Sequence, residues 1–222
     1  MFITRCLLAL HDSLFFATRE MGTLYETERY IHNYALSYAL FNDSIIKVPY
    51  FCASYRPTYA DDLGKLTERG IYVTPARPVH VSFMLTTWKM GQVTYHRNPE
   101  KFGGRNYPMN YGRAKEISPE SEFEFFVINR EPVTLPRWVR LGKWASKALV
   151  EPEKSVQVDV KNGTFTSASP LNPLDVPHSL TVYDLISMPP VSLVNNARLN
   201  GEHYELDEKT KIPSGMKYTF PP

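Results

Sequence analysis

The chain has 222 residues and a hydrophobic content of 43%, enough for a packed core in one large domain or in a domain with a smaller appendage. Its 25 Lys and Arg against 23 Asp and Glu leave a formal charge of +2 and a pI near 8.4, so whole-molecule charge argues neither for nor against an acidic partner and any basic site must be local. The two cysteines, Cys6 and Cys52, each lie in an apolar strand-like run, which reads as a buried reduced thiol in a cytoplasmic protein rather than as a ligand or a disulfide.

The first residues, MFITRCLLALHDSLFFA, mimic a weak signal peptide, but the apolar run is cut by Arg5 and then by His11 and Asp12. No stretch is long enough to span a membrane. Residues 2–10 form a short apolar run stopped by His11, Asp12 and Ser13, and predict a central strand. Residues 14–41 then carry an aromatic loop with Arg19 and Gly22 into an amphipathic helix, because Ile31, Tyr34, Ala35, Tyr38 and Phe41 recur at three- and four-residue spacing. Thr23 followed by Glu26 fits a capping box and sets the helix start near Leu24, whose first N–H groups could hold a phosphate. The plainer reading pairs Arg19 with Glu20 or Glu26 and sends Phe15 and Phe16 into the core.

Beyond Asn42, Asp43 and Ser44, IIKVPYFCASY reads as a second strand disturbed by Pro49. Residues 58–69 read as a short helix ending at Gly70, with Asp61 and Asp62 near its start, and IYVTP follows as a strand. Val79, Val81, Phe83 and Leu85 alternate with His80, Ser82, Met84 and Thr86, which predicts a half-buried strand running towards Trp88 and Lys89.

Residues 91–115 change character: Arg97, Lys101, Arg105 and Arg113 are interleaved with Tyr95, Phe102, Tyr107 and Tyr111 among four glycines. Such a segment buries little and predicts a long hairpin or flap. The chain returns as a strand over 123–129 and reaches a second basic-aromatic island, in which Arg137, Arg140, Lys143 and Lys147 surround Trp138 and Trp144. Asn162-Gly163 and Asn200-Gly201 then give two hairpin signals, separated by proline-rich loops.

Six histidines are scattered singly, without a Cys-x-x-Cys or His-x-x-x-His pair, so no metal site and no cofactor is expected; Walker, dinucleotide and nucleophile-elbow motifs are also missing. Asp61-Asp62 is a candidate acid pair, against the alternative of ordinary charges at a helix start. The positive signal is the interleaving of cations with flat rings, since single-stranded nucleic acid offers phosphates to the first and bases to the second. Alternatively, Trp138 and Trp144 are core residues on one helix face, and Tyr107 and Tyr111 pack under their own loop.

LFFATREMGTLYETERYIHNYALSYAL at 14–40 resembles the Cas-five-type (Csc-one) subunit of type I-D CRISPR Cascade, of the RAMP superfamily, and PRWVRLGKW at 136–144 is similar too. The likeness covers most of the chain in length and element order, is specific in those two stretches and fades after about residue 150. It implies an α+β fold, a ferredoxin-like, RRM-related antiparallel sheet with helices on one face over 1–150 and a β-hairpin thumb at about 89–117, to which the two Asn-Gly signals add a small hairpin-rich β subdomain over 151–222. It also implies an antiviral-defence ribonucleoprotein subunit that caps the 5′ handle of crRNA and contacts the backbone subunit, the large subunit and, in some members, PAM-proximal target DNA.

The expected RNA-binding set is Arg19, Met21, Gly22, Tyr25, Arg29, His32, Arg97, Lys101, Arg105, Tyr107, Tyr111, Arg113, Arg137, Trp138, Arg140, Lys143, Trp144 and Lys147, with no catalytic residue. Two rivals stand beside it. One is a metal-independent endoribonuclease processing pre-crRNA, with His11 or His32 as general acid or base; the other is a pure protein-protein adaptor. The glycine-rich C-terminal signature of the wider superfamily is missing, only Gly201 and Gly215 occurring there.

Overall fold

The computed structural model describes residues 1–49, 57–89 and 111–220. In chain order the elements are β1 (Phe2–Leu10), β2 (Arg19–Met21), β3 (Leu24–Glu26), α1 (Asn33–Phe41), α2 (Tyr59–Glu68), β4 (Ile71–Val73), β5 (Arg77–His80), β6 (Phe83–Lys89), β7 (Tyr111–Ile117), β8 (Glu122–Asn129), β9 (Trp138–Leu141), β10 (Ser146–Pro152), β11 (Val156–Gln157), β12 (Val160–Thr166), β13 (Leu180–Ile186), β14 (Leu193–Glu205) and β15 (Lys211–Pro213). A π-helical turn, Asn42–Ile46, extends α1 and closes on Lys47 in the left-handed region. Neither of the two α-helices among the described residues is long and apolar enough to cross a membrane.

The apolar run of β1 takes the centre of an antiparallel sheet ordered β4-β8-β1-β10-β9, with β11 beside the start of β1 and β5 beside the start of β8. Ile3, Cys6 and Leu8 of β1 and Phe123, Phe125, Phe126 and Val127 of β8 are fully buried. Burial pushes the Cys6 thiol up to about 12, so it remains a neutral apolar filler; Cys52 lies outside the described residues. α1 packs on β4 and β9, and α2 on β4 and α1.

The first helix begins nine residues later than the capping-box reading places it. Leu24–Glu26 is the strand β3, which pairs with β2 across a turn of Gly22 (φ +60°) and Thr23 and runs parallel to β7. Glu26, instead of reaching back to a backbone N–H, lies 3.7 Å from Arg19 and 3.6 Å from Lys115. Long-range pairing outweighs a local cap, and among the described residues no helix begins near Leu24. The actual N-cap is His32, whose Nδ1 accepts from the Tyr34 N–H at 3.2 Å. α1 is buried on several sides, through Tyr34, Leu36, Ser37, Leu40 and Phe41, which is why a single apolar stripe describes it poorly.

The second helix, α2, matches its expected limits, as do β4 and β8. The strand expected after Ser44 is replaced over 45–49 by the π turn and a strandless segment, and 50–56 lie outside the described residues. The alternating stretch 79–85 divides between two sheets: Val79 ends in β5, while Phe83 and Leu85 belong to β6, and Val79, Phe83, Met84 and Leu85 are all exposed. β6 and β7 form the root of the expected flap within a sheet ordered β2-β3-β7-β6.

Neither Asn-Gly pair makes a turn. Both lie inside long strands that pair with each other, Gly163 opposite Gly201 and Thr164 opposite Asn200, in a third sheet ordered β12-β14-β13 with β15 beside β14. A Cβ on Gly201 would stand 2.7 Å from Nδ1 of His178, so close packing accounts for this glycine. Tyr204, Ile212 and Tyr218 carry this region into the main core. Asp175, buried, seals the seam: it accepts from Asn33 Nδ2 (2.9 Å), the Tyr72 hydroxyl (2.9 Å) and the Thr219 N–H (2.8 Å).

Candidate nucleic-acid interface

The β2-β3 hairpin stands on the surface, with Arg19, Met21, Gly22 and Tyr25 exposed. Its cations sit over a groove of about 320 Å³ lined by Thr18, Arg19, Glu26, Glu28, Arg29, Phe83 and Lys115. Lys115 Nζ lies 4.5 Å from the Phe83 ring centroid and Arg29 lies over Tyr30 at 5.6 Å. The ion pairs that Arg19 and Lys115 make with Glu26 are long and their cations half exposed, so they are weak, and a phosphate oxygen can replace the carboxylate at small cost. Arg113 is exposed on β7, opposite Leu24.

The second island folds as the β9-β10 hairpin, not as a helix face. Alternation sends Val139 and Leu141 into the core and leaves Trp138 and Arg140 outside. Lys147 Nζ lies 4.1 Å from the Trp138 ring and His11 meets the same indole edge-on at 4.8 Å. Arg140 donates to the Ala145 carbonyl at 3.0 Å and lies 4.0 Å from Asp12, whose carboxylate accepts the Lys147 N–H. These groups border a groove of about 600 Å³, floored by Ala35, Tyr38 and Ala39 of α1.

The turn of this hairpin is pressed onto the segment before β2. Gly142 has φ +73°, and a Cβ there would stand 2.7 Å from Leu14 Cδ1 and 2.8 Å from the Phe15 carbonyl oxygen, which accepts the Lys143 N–H at 2.9 Å. That contact positions Trp144 to stack on Phe15 (4.4 Å, 20° between planes) and to meet Trp88 of β6 at 5.5 Å. Trp88 and Trp144 keep 44% and 42% of their surface exposed. Trp88 and Lys115 are residues that sequence reasoning missed; their signal was their place at the two ends of the basic flap. The structure thus brings Arg19, Met21, Tyr25 and Arg113 onto one sheet, with Gly22 in its β2-β3 turn and Arg29 in the bend after β3, and Trp138, Arg140, Lys143, Trp144 and Lys147 onto the neighbouring hairpin, joined through Phe15, Trp144 and Trp88. Arg137 is exposed at the entry to β9.

His32 is buried instead of exposed on this surface. It is 4% exposed, and its Nε2 donates to the Val191 carbonyl at 3.1 Å while Nδ1 caps α1, so burial lowers its pKa to about 4 and fixes the neutral ring. Asp62 also has a structural place, buried and accepting from the Tyr38 and Thr58 hydroxyls. Arg97, Lys101, Arg105 and Tyr107 lie outside the described residues, and of Tyr111 only the backbone pairing with Lys89 is described. Among the described residues no group of His, Cys, Asp or Glu is arranged to hold a metal ion.

A family model described as type I-D CRISPR-associated protein Cas5/Csc1 matches residues 1–221. The chain belongs to that family. The type I-D Cas5/Csc1 match spans all three sheets, the C-terminal one included. No curated protein matches the sequence. Among solved structures, a chain of a type III-B Cmr-beta complex bound to cognate target RNA and AMPPnP is similar at 9% identity and a TM-score of 0.47, over 88% of this chain and 86% of that one. A CRISPR protein from Archaeoglobus fulgidus is similar at 9% identity and a TM-score of 0.47, over 96% and 98% respectively.

Proposed function

We propose that this Cas5/Csc1 chain is a non-catalytic RNA-binding subunit of a cytoplasmic CRISPR effector complex, capping the 5′ handle of crRNA and contacting the backbone and large subunits, with PAM-proximal target DNA nearby. The observation that carries the reading is the joining of two basic-aromatic surfaces through the Phe15, Trp144 and Trp88 rings. Arg19, Arg29 and Lys115 are spaced along one side to meet phosphates, and the half-exposed faces of Trp138, Trp144 and Trp88 offer stacking platforms to unpaired bases. The guide sequence itself is left to base pairing.

In this reading residues 1–150 are a ferredoxin-like platform: β1, β4, β8 and β10 take the places of its four strands, α1 and α2 fill the first crossover, and the β9 hairpin stands where the second helix would be. β6 and β7 are the described ends of the segment about 89–117 expected as its thumb, residues 90–110 lying outside the described residues, and 151–222 is its appended β subdomain. The endoribonuclease rival loses support at His32, whose ring is committed to Val191 and Tyr34, and rests on His11 alone.

The test is binding of the purified protein to a labelled repeat-derived 5′-handle RNA against a scrambled RNA of equal length, in EDTA, with the RNA inspected afterwards. Preference for the handle with intact RNA is the expected result. Equal weak binding to both removes the capping role, and cutting that is lost on His11→Ala establishes the nuclease instead.

A further inference from the structure

β13 is exposed along nearly its whole length. Between half-buried Leu180 and buried Ile186, residues 181–185 are all exposed, and Val182, Tyr183 and Leu185 keep 65%, 48% and 67% of their surface in solvent. It ends its sheet, with β14 on one side and, among the described residues, no strand on the other. Its inner side is held at both ends in one register: Leu180 faces Leu199, and Asp184, Leu185 and Ile186 face Asn195, Val194 and Leu193. The slip after Leu180 is undone at Asp184, where Asn196, in the left-handed region, donates its Nδ2 to Asp184 at 2.7 Å.

Such an edge offers unpaired main-chain N–H and C=O groups to another strand, in regular register over 184–186. Edges exposed in isolated proteins are guarded by charges, above all Lys, by Pro, by bulges or by extreme shortness. LTVYDLI is seven residues long with no Lys, Arg or proline, and its guards are the single Asp184 charge and the bulge between Leu180 and Asp184.

The chemistry of the edge selects its occupant. A phosphate backbone needs cations, which this strand lacks while carrying the Asp184 carboxylate; the contrast is with β9 and β10, where Arg140 and Lys147 flank Trp138. A second copy paired about Tyr183 would set the Asp184 carboxylate against Val182 and bring it no cation. An extended segment of a different polypeptide meets every demand: main-chain hydrogen bonds to the edge, apolar side chains over Val182, Tyr183 and Leu185, and a cation near Asp184.

We infer that the outer edge of β13 is a strand-addition site for an extended, alternately apolar and Lys- or Arg-bearing segment of a partner subunit. This rests on the reading of the chain as one subunit of a larger assembly, and not on the RNA roles given to the other two sheets.

The test is a Val182→Lys, Leu185→Lys double variant of the full chain, offered to the other protein subunits of its type I-D complex during reconstitution. Both side chains are exposed, so thermal unfolding and handle-RNA affinity stay at wild-type values. Incorporation into the complex falls at least about tenfold, and in the wild-type complex the backbone amides of 181–185 that point away from β14 exchange at least about tenfold more slowly than in the free chain. Wild-type incorporation of the variant with unchanged exchange overturns the inference. Loss of RNA affinity in the variant also overturns it, by placing nucleic acid on this edge, and so does a wild-type dimer in light scattering that the variant dissolves. Intact assembly and β13 protection together with no handle binding would refute the RNA reading and uphold this one.

Discussion

Two buried titrating groups hold the start of α1, and their pH dependences oppose each other. His32, neutral at the start of α1, has its pKa lowered from 6.5 to about 4 by burial; Asp175, which takes Asn33 of the same helix, has its pKa raised from 3.8 to about 6 by burial against the pull of its donors. The His32 contribution to stability is complete above pH 6.5 and is lost as the pH falls towards 4, because the unfolded chain takes the proton first. The Asp175 contribution is complete below pH 3.8 and is lost as the pH rises towards 6, because the folded chain holds its proton longer. At about 1.4 kcal/mol per pKa unit each amounts to about 3 kcal/mol, and between about pH 4 and 6 they nearly cancel. His32→Asn keeps an N-cap acceptor but no titrating ring. Relative to wild type, its stability should therefore rise by about 3 kcal/mol between pH 6.5 and 4, whatever its constant offset. Asp175→Asn should show the reverse trend, falling by about the same amount on acidification. Urea unfolding followed by tryptophan fluorescence at pH 4, 5, 6 and 7 measures both differences. Profiles for the variants that run parallel to wild type would refute the assignment of these two groups.

The proposed RNA surface gives further predictions. Trp138→Ala should weaken handle binding by about 1–3 kcal/mol through lost stacking, without changing thermal stability by more than about 1 kcal/mol, because the indole is 44% exposed. Filter binding and a thermal melt measure the two, and an unchanged affinity would remove Trp138 from the site. If about five phosphates are neutralised, log affinity against log salt should slope near −3.5, and Arg19→Ala should flatten it by about 0.7; a salt-independent affinity excludes the mode. Gly142→Ala should cost at least about 2 kcal/mol, since φ is +73° and a Cβ would strike both Leu14 and the Phe15 carbonyl, and it should lower RNA affinity by displacing Trp144. Wild-type stability would show that the turn does not depend on this contact.

Some of this was legible residue by residue. The apolar run of 2–10, broken only by Thr4 and Arg5, marks β1 as central, the acids near the start of α2 and Gly70 beyond its end bound that helix, and the crowding of Arg and Lys around tryptophan marks 137–147 as a stretch with exposed cations and rings. Each of these is a local property, written in the order of neighbouring side chains. The pairing partner is not local. Thr23 and Glu26 carry a helix cap in their spacing, yet β7 comes back to claim Leu24, Tyr25 and Glu26 for a sheet. Asn162-Gly163 and Asn200-Gly201 carry turn signals, yet each finds the other across a ladder, where main-chain hydrogen bonds along two strands outweigh a turn preference of about a kilocalorie. Trp88 and Trp144, distant in sequence, become one surface only because the β9-β10 turn is seated on Leu14 and Phe15. The sequence alone determined which segments could be buried and where charge and rings would concentrate. The tertiary structure decided which of those segments meet, because strand pairing and ring stacking are contacts between distant residues whose free energy no single stretch of chain contains.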